Sequence, residues 1–450
     1  MRRTEQRVQI FSIGLPRDGD KRRYRVKWRV DGRDKTRSFG TKAQAERLKA
    51  RLQMAVADGE EFDFATGEPV SWVKQDKAWW EWSQEWLDLK WPQWSGHSRR
   101  SAAESLVAIT PLMAREGAPP PPEGVAIWLR KHGYRLGATD RERAPGWLLR
   151  WSVPLVEIET TQLERVLAAV TTKQDGAPVA RDVARRRRTT LNAVLSAAVR
   201  RDLIDHNPLA KSEWKLPTRN IAVDISTVPS YEDVVEIVDH VAGLTSDGAR
   251  YAAVFASVGI AGMRPSEAIG LQVADLELPS DGWGLAVLRG ASTSPGTRFT
   301  SNGAVVEDKE LKQRPPDATR DVPLAPDLVK RLRSHLERWP PVNGRVFTNA
   351  AGRTPTSTNY GPVWVRARSK LWPEEHRLEK TTVYDLRHSA ATMMLRAGVP
   401  PAEVARRLGH SVDILMRVYA GVLDDERQRS NELIDRAVKG TPNKADLRTA

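Results

Sequence analysis

The chain has 450 residues, a formal net charge of +14 and a sequence pI near 10. It contains no cysteine, which excludes disulfides and thiolate metal sites. The length suits two or three domains, and the basic surplus suits a polyanionic partner, although a merely basic soluble protein has the same charge. The longest apolar stretch, 251–263, is shorter than the about 20 residues of a membrane span, and the first residues lack an apolar signal core. We therefore expect a cytoplasmic protein.

The first 60 residues carry most of the positive surplus, with 17 lysines and arginines against 8 acidic residues. Apolar and basic residues alternate over 24–30, which predicts a half-buried β-strand. Asp31-Gly32 is a hairpin signal, so a second strand is expected at 35–39 and an earlier one at 8–13. A capping-box pattern at Thr41 and Gln44 begins a helix that runs to about residue 57. The prediction is a three-stranded sheet with one apolar face under the helix and one basic face.

The middle of the chain has the pattern of a helical region. Residues 61–77 have the composition of a linker, and Trp79, Trp82 and Trp86 then fall on one helical face. That spacing is more typical of a core than of a base-stacking platform. Further helices are predicted over 98–115, 160–170 and 180–203, with no assignment for 119–154. The run 185–188 of four arginines is either a solvated helix face or a phosphate contact.

A second linker is predicted over 209–226, and a mixed, mostly helical region follows it. Helices are expected over 230–241, 250–260, 401–408 and 424–438, and a further helix contains Arg387 and continues to about residue 397. A small sheet is expected from 285–288, 305–308 and 320–322, with Lys312 at its turn.

Five short phrases in this region carry residue types that suit phosphate chemistry. They are Gly262-Met263-Arg264-Pro265-Ser266-Glu267, Leu311-Lys312 ahead of Arg320-Asp321-Val322-Pro323-Leu324, Tyr384-Asp385-Leu386-Arg387-His388, Leu408-Gly409-His410-Ser411, and Tyr419 nine residues later. Each phrase alone has an ordinary structural explanation. Arg264-Pro265 suits a helix start, Gly409 suits a helix C-terminus, and a lone tyrosine is usually packing.

In their order, spacing and flanking residues, the five phrases resemble the active-site signature of the tyrosine recombinase (phage integrase) family. The resemblance implies a multi-domain, mainly α fold with three domains. These are a small β-sheet-plus-helix domain for arm-type DNA sites at 1–68, a helical, SAM-like core-binding domain at 72–217, and a mixed, mostly α catalytic domain with a small β-sheet at 225–440. The implied enzyme integrates or excises a mobile element by cleaving and rejoining DNA through a 3′-phosphotyrosyl intermediate.

The resemblance also implies residue roles. Tyr419 is the nucleophile, and Arg264 and Arg387 clamp the scissile phosphate. His410 donates a hydrogen bond to that phosphate. These residue types fit the chemistry, because guanidinium forks match phosphate oxygens and a phenol with a pKa of about 10 needs activation. No cofactor is expected, and the covalent intermediate conserves the bond energy, so resealing needs no ATP.

Two positions depart from the family pattern or admit an alternative. The second box of the family usually begins with histidine, whereas this chain has Tyr384. Because tyrosine does not titrate near neutral pH as histidine does, we expect Tyr384 to support the phosphate or the nucleophile, without proton transfer. The leaving-group acid is expected at Lys312, with Lys309 as the alternative. Glu267 is expected to orient an active-site group, and His388 to pack or support.

The partners implied by the resemblance are double-stranded DNA, at core and arm attachment sites, and further copies of the chain in a tetramer at synapsis. A DNA-bending host factor and an excision factor are possible partners by analogy. No membrane partner is expected, and the protein would be nucleoid-associated when bound to DNA. Two alternatives stay open: a type IB topoisomerase-like enzyme that relaxes DNA, and a DNA-binding regulator with an inactive site.

Overall fold

The computed structural model of the chain describes residues 6–14, 24–75, 77–135, 144–173, 175–216, 223–311 and 318–419, together with 431, 434, 435, 438 and 439. The chain divides into two compact units, Met1–Pro217 and Thr218–Ala450. Lys312 and most of the predicted helix 424–438 lie outside the described residues. Of the helices in the described ranges, none is long and apolar enough to cross a membrane.

The first unit begins with an antiparallel sheet of order β1-β2-β3 that is followed by helix α1. The bounds are β1 Val8–Ile10, β2 Tyr24–Val30, β3 Arg33–Phe39 and α1 Lys42–Ala57. Asp31 and Gly32, with φ of 42° and 85°, form the tight turn between β2 and β3. Val26, Trp28 and Val30 form one buried cluster with apolar residues of α1. The predicted sheet, hairpin and apolar face are confirmed.

The opposite face of this sheet is less positive than predicted. Asp34 lies on β3 directly across from Arg29. Its carboxylate accepts a hydrogen bond from Arg29 Nε at 2.6 Å and lies 2.7 Å from Lys27 Nζ. Hydrogen bonds from Arg29 and Lys27 lower the pKa of Asp34. Two of the basic side chains on this face are therefore paired within the sheet.

Helices make up the rest of the first unit. Their bounds are α2 Val70–Gln75, α3 Trp79–Lys90, α4 Gly96–Ile109, α5 Gly124–Trp128, α6 Gly146–Trp151, α7 Thr160–Val170 and α8 Arg181–Val199. Trp79, Trp82 and Trp86 are fully buried, which confirms that they are core residues. The predicted linker 61–77 contains α2, and α4 ends before residue 115 because Pro111 lies in a 3-10 turn. α8 likewise ends earlier than the predicted residue 203.

The run of four arginines in α8 is partly engaged within the unit. Arg187 donates to the Val170 carbonyl, and the Arg188 guanidinium lies 6.0 Å from the centre of the Trp214 ring. Burial lowers the pKa of Arg187. At least these two side chains have intramolecular partners, so the run is not simply a solvated face.

The second unit is mostly helical. Its helices are α9 Tyr231–Ala242, α10 Ala252–Gly259, α11 Pro265–Gly270, α12 Pro326–Arg338, α13 Ser357–Leu371, α14 Asp385–Arg396, α15 Pro401–Leu408 and α16 Val412–Val418. Every residue of α10 is buried, and α10 contributes to the same apolar cluster as α9 and α12. The predicted helix 250–260 is thus confirmed from residue 252, after a 3-10 turn at Asp247–Tyr251.

The strands of this unit form two ladders, where the sequence predicted a single sheet. β4 Leu276–Glu277, β5 Gly284–Leu288 and β8 Arg320–Leu324 form an antiparallel sheet of order β4-β5-β8. β6 Gly290–Thr293 and β7 Glu307–Glu310 pair separately. The prediction was wrong because the chain changes partner at Arg289: Leu288 pairs with Arg320, and Gly290 pairs with Glu310. The side chain of Arg289 turns aside to Asp275, with Nε 2.9 Å from Oδ1.

Candidate active site

Arg264 lies where extended backbone turns into α11. Pro265 occupies the first helical position, where a missing N–H costs nothing. The carboxylate of Glu267 accepts from the Arg264 backbone N–H at 2.7 Å and from the Arg264 Nη1 at 2.5 Å. The local sequence Arg-Pro-Ser-Glu therefore orients the arginine through the carboxylate three residues later, in agreement with the role predicted for Glu267.

A second arginine, Arg320 on β8, binds the same carboxylate. Its Nη1 lies 3.1 Å from Oε1 of Glu267 and its Nη2 lies 2.7 Å from Oε2. Arg387 Nη1 is 3.8 Å from Oε2. Burial alone would raise the pKa of Glu267, which is 2 % exposed, but the charges of Arg320 and Arg264 outweigh burial and lower it. One ionised carboxylate thus lies among three guanidinium groups.

Arg387 points from the first turn of α14 into the interior and is 1 % exposed. Its guanidinium donates to the carbonyls of Gly262 and Leu408, and Nη2 donates to Nε2 of His410 at 2.9 Å. Burial, followed by the charge of Arg264, lowers the pKa of Arg387 to about 10. The group therefore stays protonated at neutral pH, and it connects the segment before Arg264 with the segment that carries His410.

His410 follows a left-handed helix cap at Gly409. Gly409 ends α15 with φ 65° and ψ 45°, and its carbonyl accepts from Arg264 Nη2 at 3.2 Å. A Cβ atom at this position would lie 2.3 Å from Arg320 Nη1, so both the backbone conformation and the space require glycine. Gly409 therefore lies beside the side chains of both Arg264 and Arg320, and His410 follows it directly.

The imidazole of His410 is neutral. Burial, followed by the charges of Arg387 and Arg264, lowers its pKa to about 4. Because Nε2 accepts from Arg387, the proton lies on Nδ1. The buried Nδ1 has no hydrogen-bond partner among the described residues. The site therefore contains one buried N–H donor that makes no hydrogen bond within the described residues.

Tyr419 immediately follows α16 and is 1 % exposed. Its hydroxyl lies 2.8 Å from Nδ1 of His388. Burial raises the pKa of Tyr419 and lowers the pKa of His388. At neutral pH the phenol is therefore protonated and the imidazole beside it is neutral.

Tyr384, which takes the place of the family histidine, lies at the edge of the site. Its side chain is 45 % exposed, immediately before α14. Its ring contacts the ring of His388 edge-on, with centroids 5.8 Å apart. The structure thus places Tyr384 next to the imidazole that contacts Tyr419.

Of the two lysine candidates, only Lys309 falls within the described residues. It lies in β7, and its Nζ is 2.9 Å from Oε2 of Glu307. Lys309 is thus engaged in an ion pair along its own strand. Lys312 stays a prediction.

Five of the six predicted site residues therefore take part in one network of side-chain and backbone contacts; the sixth, Lys312, lies outside the described residues. Glu267 and Gly409 contact Arg264, His410 contacts Arg387, and His388 contacts Tyr419. The cluster carries excess positive charge, a buried imidazole donor without a hydrogen-bond partner among the described residues, and a buried phenol. These groups suit an anionic phosphodiester. Sequence reasoning missed the contacts of two residues. Arg320 was predicted as a strand residue, and no sequence signal pairs it with Glu267. His388 was predicted to pack or support, but the prediction did not name the residue that it contacts.

Residues 230–426 match the model of the Phage integrase family. Among solved structures, the Tn1549 transposon integrase in complex with transposon right end DNA is similar in fold, with a TM-score of 0.50 and 17 % identity. That match covers 62 % of this chain and 88 % of the integrase chain. No curated protein matches the chain.

Two further solved structures have weaker similarity. XerH recombinase bound to palindromic difH substrate has a TM-score of 0.48 and 17 % identity, over 79 % of this chain and 94 % of that one. A lambda integrase dimer bound to a COC′ core site has a TM-score of 0.38 and 13 % identity, over 58 % and 78 %.

Proposed function

We propose, on the premise that residues 230–426 belong to the phage integrase family, that this chain is a site-specific DNA recombinase. It cleaves and rejoins double-stranded DNA through a 3′-phosphotyrosyl intermediate and so integrates or excises a mobile element. The observation that carries the proposal is the placement of α14. One of its residues, Arg387, contacts His410, and the next, His388, contacts the hydroxyl of Tyr419.

Arg264, Arg387 and His410 bind the scissile phosphate in this proposal. The two guanidinium groups neutralise the charge that grows on the non-bridging oxygens, and Nδ1–H of His410 donates a third hydrogen bond. The cluster is held in place before DNA arrives, because Glu267 and Gly409 fix the side chain of Arg264. Loss of one such donor typically costs roughly 10²–10³ in rate.

Tyr419 attacks the phosphorus, and Lys312 protonates the leaving 5′-oxygen. Tyr384 supports the site from its exposed edge through its contact with His388. Because Tyr419 is 1 % exposed, its hydroxyl must be uncovered before it can attack the phosphate. The reverse reaction, attack by a 5′-hydroxyl on the phosphotyrosyl bond, reseals the strand.

We also propose which part of the chain performs each task. We assign arm-site binding to 1–68, core-site binding to 72–217 and catalysis to 225–440. The Tn1549 integrase of similar fold is itself bound to DNA, and the basic surplus of this chain suits the same ligand. Recombination of two duplexes needs four protomers at synapsis, and a DNA-bending factor and an excision factor complete the proposed assembly.

Covalent capture tests this function. Wild-type protein and Tyr419→Phe are incubated with DNA from the source organism and its mobile element, denatured, and the ends of protein-linked fragments are sequenced. We expect tyrosine-dependent adducts at one or two discrete sites and equal DNA affinity for both proteins. Adducts at scattered sites would indicate a topoisomerase, and tight binding without adducts would indicate an inactive regulator. Adducts with Tyr419→Phe would exclude this residue as the nucleophile.

A further inference from the structure

The contact between His388 and Tyr419 has the geometry of a base and the group that it deprotonates. Nδ1 of His388 lies 2.8 Å from the phenolic oxygen, within the about 2.6–3.2 Å that direct proton transfer requires. We infer that His388 is the general base that accepts the proton of Tyr419 during strand cleavage. The inference rests on the proposed function and adds a catalytic residue to it.

His388 lies on α14 close to Tyr384, which stands where the family usually has histidine. Tyr384 and His388 are four residues apart, which puts them one helical turn apart on the same side. The rings touch edge-on. The phenol of Tyr384 cannot accept a proton near neutral pH, whereas an imidazole at position 388 can. An imidazole that can accept a proton is therefore present one helical turn after position 384.

The surroundings of His388 keep its imidazole ready to accept a proton. Asp385 and Arg387 flank it on its own helix, and their charges oppose each other there. Burial dominates and lowers the pKa of His388, so the ring is neutral at neutral pH. Tyr419 faces it from the end of α16, and His410, in the loop after α15, is also electrostatically coupled to it. Burial also raises the pKa of Tyr419, so a base is needed.

The proton balance of the step is simple. The Tyr419 oxygen forms a bond to phosphorus as its proton moves to Nδ1 of His388. The bond from phosphorus to the 5′-oxygen breaks, and the leaving oxygen takes a proton from Lys312. In the resealing step, His388 returns its proton to the departing phenolic oxygen. No oxidant, reductant or second nucleophile is required.

Cleavage kinetics with the full chain test the role. The substrate is a nicked duplex that carries the crossover sequence recovered by covalent capture. The nick makes this duplex trap the phosphotyrosyl adduct. We expect His388→Gln and His388→Gly to form adduct about 10²–10⁴-fold more slowly than wild type. Added imidazole should restore part of the rate in His388→Gly, an effect that a merely structural role for the ring does not produce.

The pH profile and a matched variant sharpen the test. The wild-type rate should fall as acid protonates His388, and that fall should disappear in His388→Gly. His376→Gln is the control. Nδ1 of His376 accepts a hydrogen bond from the backbone N–H of Leu378 and not from a tyrosine. The cleavage rate of His376→Gln should equal that of wild type. A wild-type rate and pH profile in His388→Gly would overturn the inference.

A measurement without DNA separates this inference from the proposed function. Nitrogen-15 NMR of the labelled full chain reports which ring nitrogen of His388 carries the proton. We expect Nε2–H with an unprotonated Nδ1, and a shift of the Nδ1 resonance in Tyr419→Phe. A proton on Nδ1 would make His388 a donor and overturn the inference even if cleavage occurs. Absence of wild-type adducts would instead count against the recombinase proposal.

Discussion

Glu267 and Arg320, 53 residues apart in the sequence, form a bidentate ion pair in the interior of the second unit. The carboxylate also binds Arg264 through both its backbone N–H and its guanidinium. Removing one partner of a buried pair leaves an uncompensated charge and typically costs about 3–5 kcal/mol. Loss of either partner should therefore lower the stability of the second unit and disturb the orientation of Arg264 at the same time.

Glu267→Gln should destabilise the second unit by about 3–5 kcal/mol, because an uncharged amide replaces the carboxylate among three guanidinium groups. Urea-induced unfolding of the full chain measures the change. Cleavage should fall even under conditions where the variant is folded, since Arg264 loses the carboxylate that orients it.

Glu403→Gln is the matched control for this substitution. Glu403 also binds two arginines, Arg406 and Arg407, but near the surface of α15. Exposed pairs contribute at most about 1 kcal/mol. Equal losses of stability in the two variants would show that the burial of Glu267 does not matter.

Gly409→Ala should reduce cleavage strongly while the protein still folds. A methyl group there would lie 2.3 Å from Arg320 Nη1, and the left-handed backbone costs a non-glycine residue about 1–2 kcal/mol. Because His410 follows directly, relief of the clash moves the imidazole away from Arg387. The rate of adduct formation is the measurement.

Gly282→Ala controls for backbone strain alone. Gly282 also has a positive φ, 88°, but nothing lies within 4 Å of the added Cβ. It should lose similar stability and keep its cleavage rate. A similar loss of cleavage in both variants would mean that strain, and not displacement of His410, is responsible.

Short-range patterns explain why much of the fold could be predicted from the sequence. The turn at Asp31-Gly32 and the capping residues of α1 act over two to four residues, and the periodic tryptophans of α3 mark its buried face. The split of the predicted sheet into two ladders could not be predicted. It depends on which distant strand meets the chain on either side of Arg289.

The candidate site was predictable to a similar extent. Arg264, Arg387, His410 and Tyr419 lie in recognisable phrases. In the structure Arg264 contacts Gly409, Arg387 contacts His410, and Tyr419 contacts His388, the neighbour of Arg387 in the sequence. The contact of His388 with Tyr419 joins a residue of α14 to the residue that follows α16, 31 positions later in the sequence. Such a contact depends on the tertiary packing of segments that are distant in the sequence, and single-sequence patterns carry no information about it.

DNA binding should weaken as salt increases, because each neutralised phosphate releases counterions. Arg264→Ala should make the slope of log K against log[salt] shallower by about one ion, and it should lower cleavage by roughly 10²–10³. Arg331→Ala is the control, since Arg331 on α12 pairs with Asp239 and Asp327 and is not one of the arginines around Glu267; its slope should match that of wild type. A salt-independent affinity of the wild type would contradict a phosphate interface.

Acid should destabilise the protein through His335, which is buried in the second unit. Its Nε2 contacts the Val346 carbonyl, and burial lowers the pKa of His335 from 6.5 to about 4. As pH falls below 6.5 the unfolded chain takes up a proton that the folded chain refuses, so this contribution to stability is lost between about pH 6.5 and pH 4. The loss reaches about 3 kcal/mol at most.

His335→Gln isolates this effect from other acid-titrating groups. An amide can still donate to the Val346 carbonyl but does not titrate, so the variant should lose less stability than wild type between pH 7 and pH 4.5. Urea midpoints measured across this range make the comparison. Parallel pH dependences in the two proteins would show that protonation of His335 does not drive the acid loss.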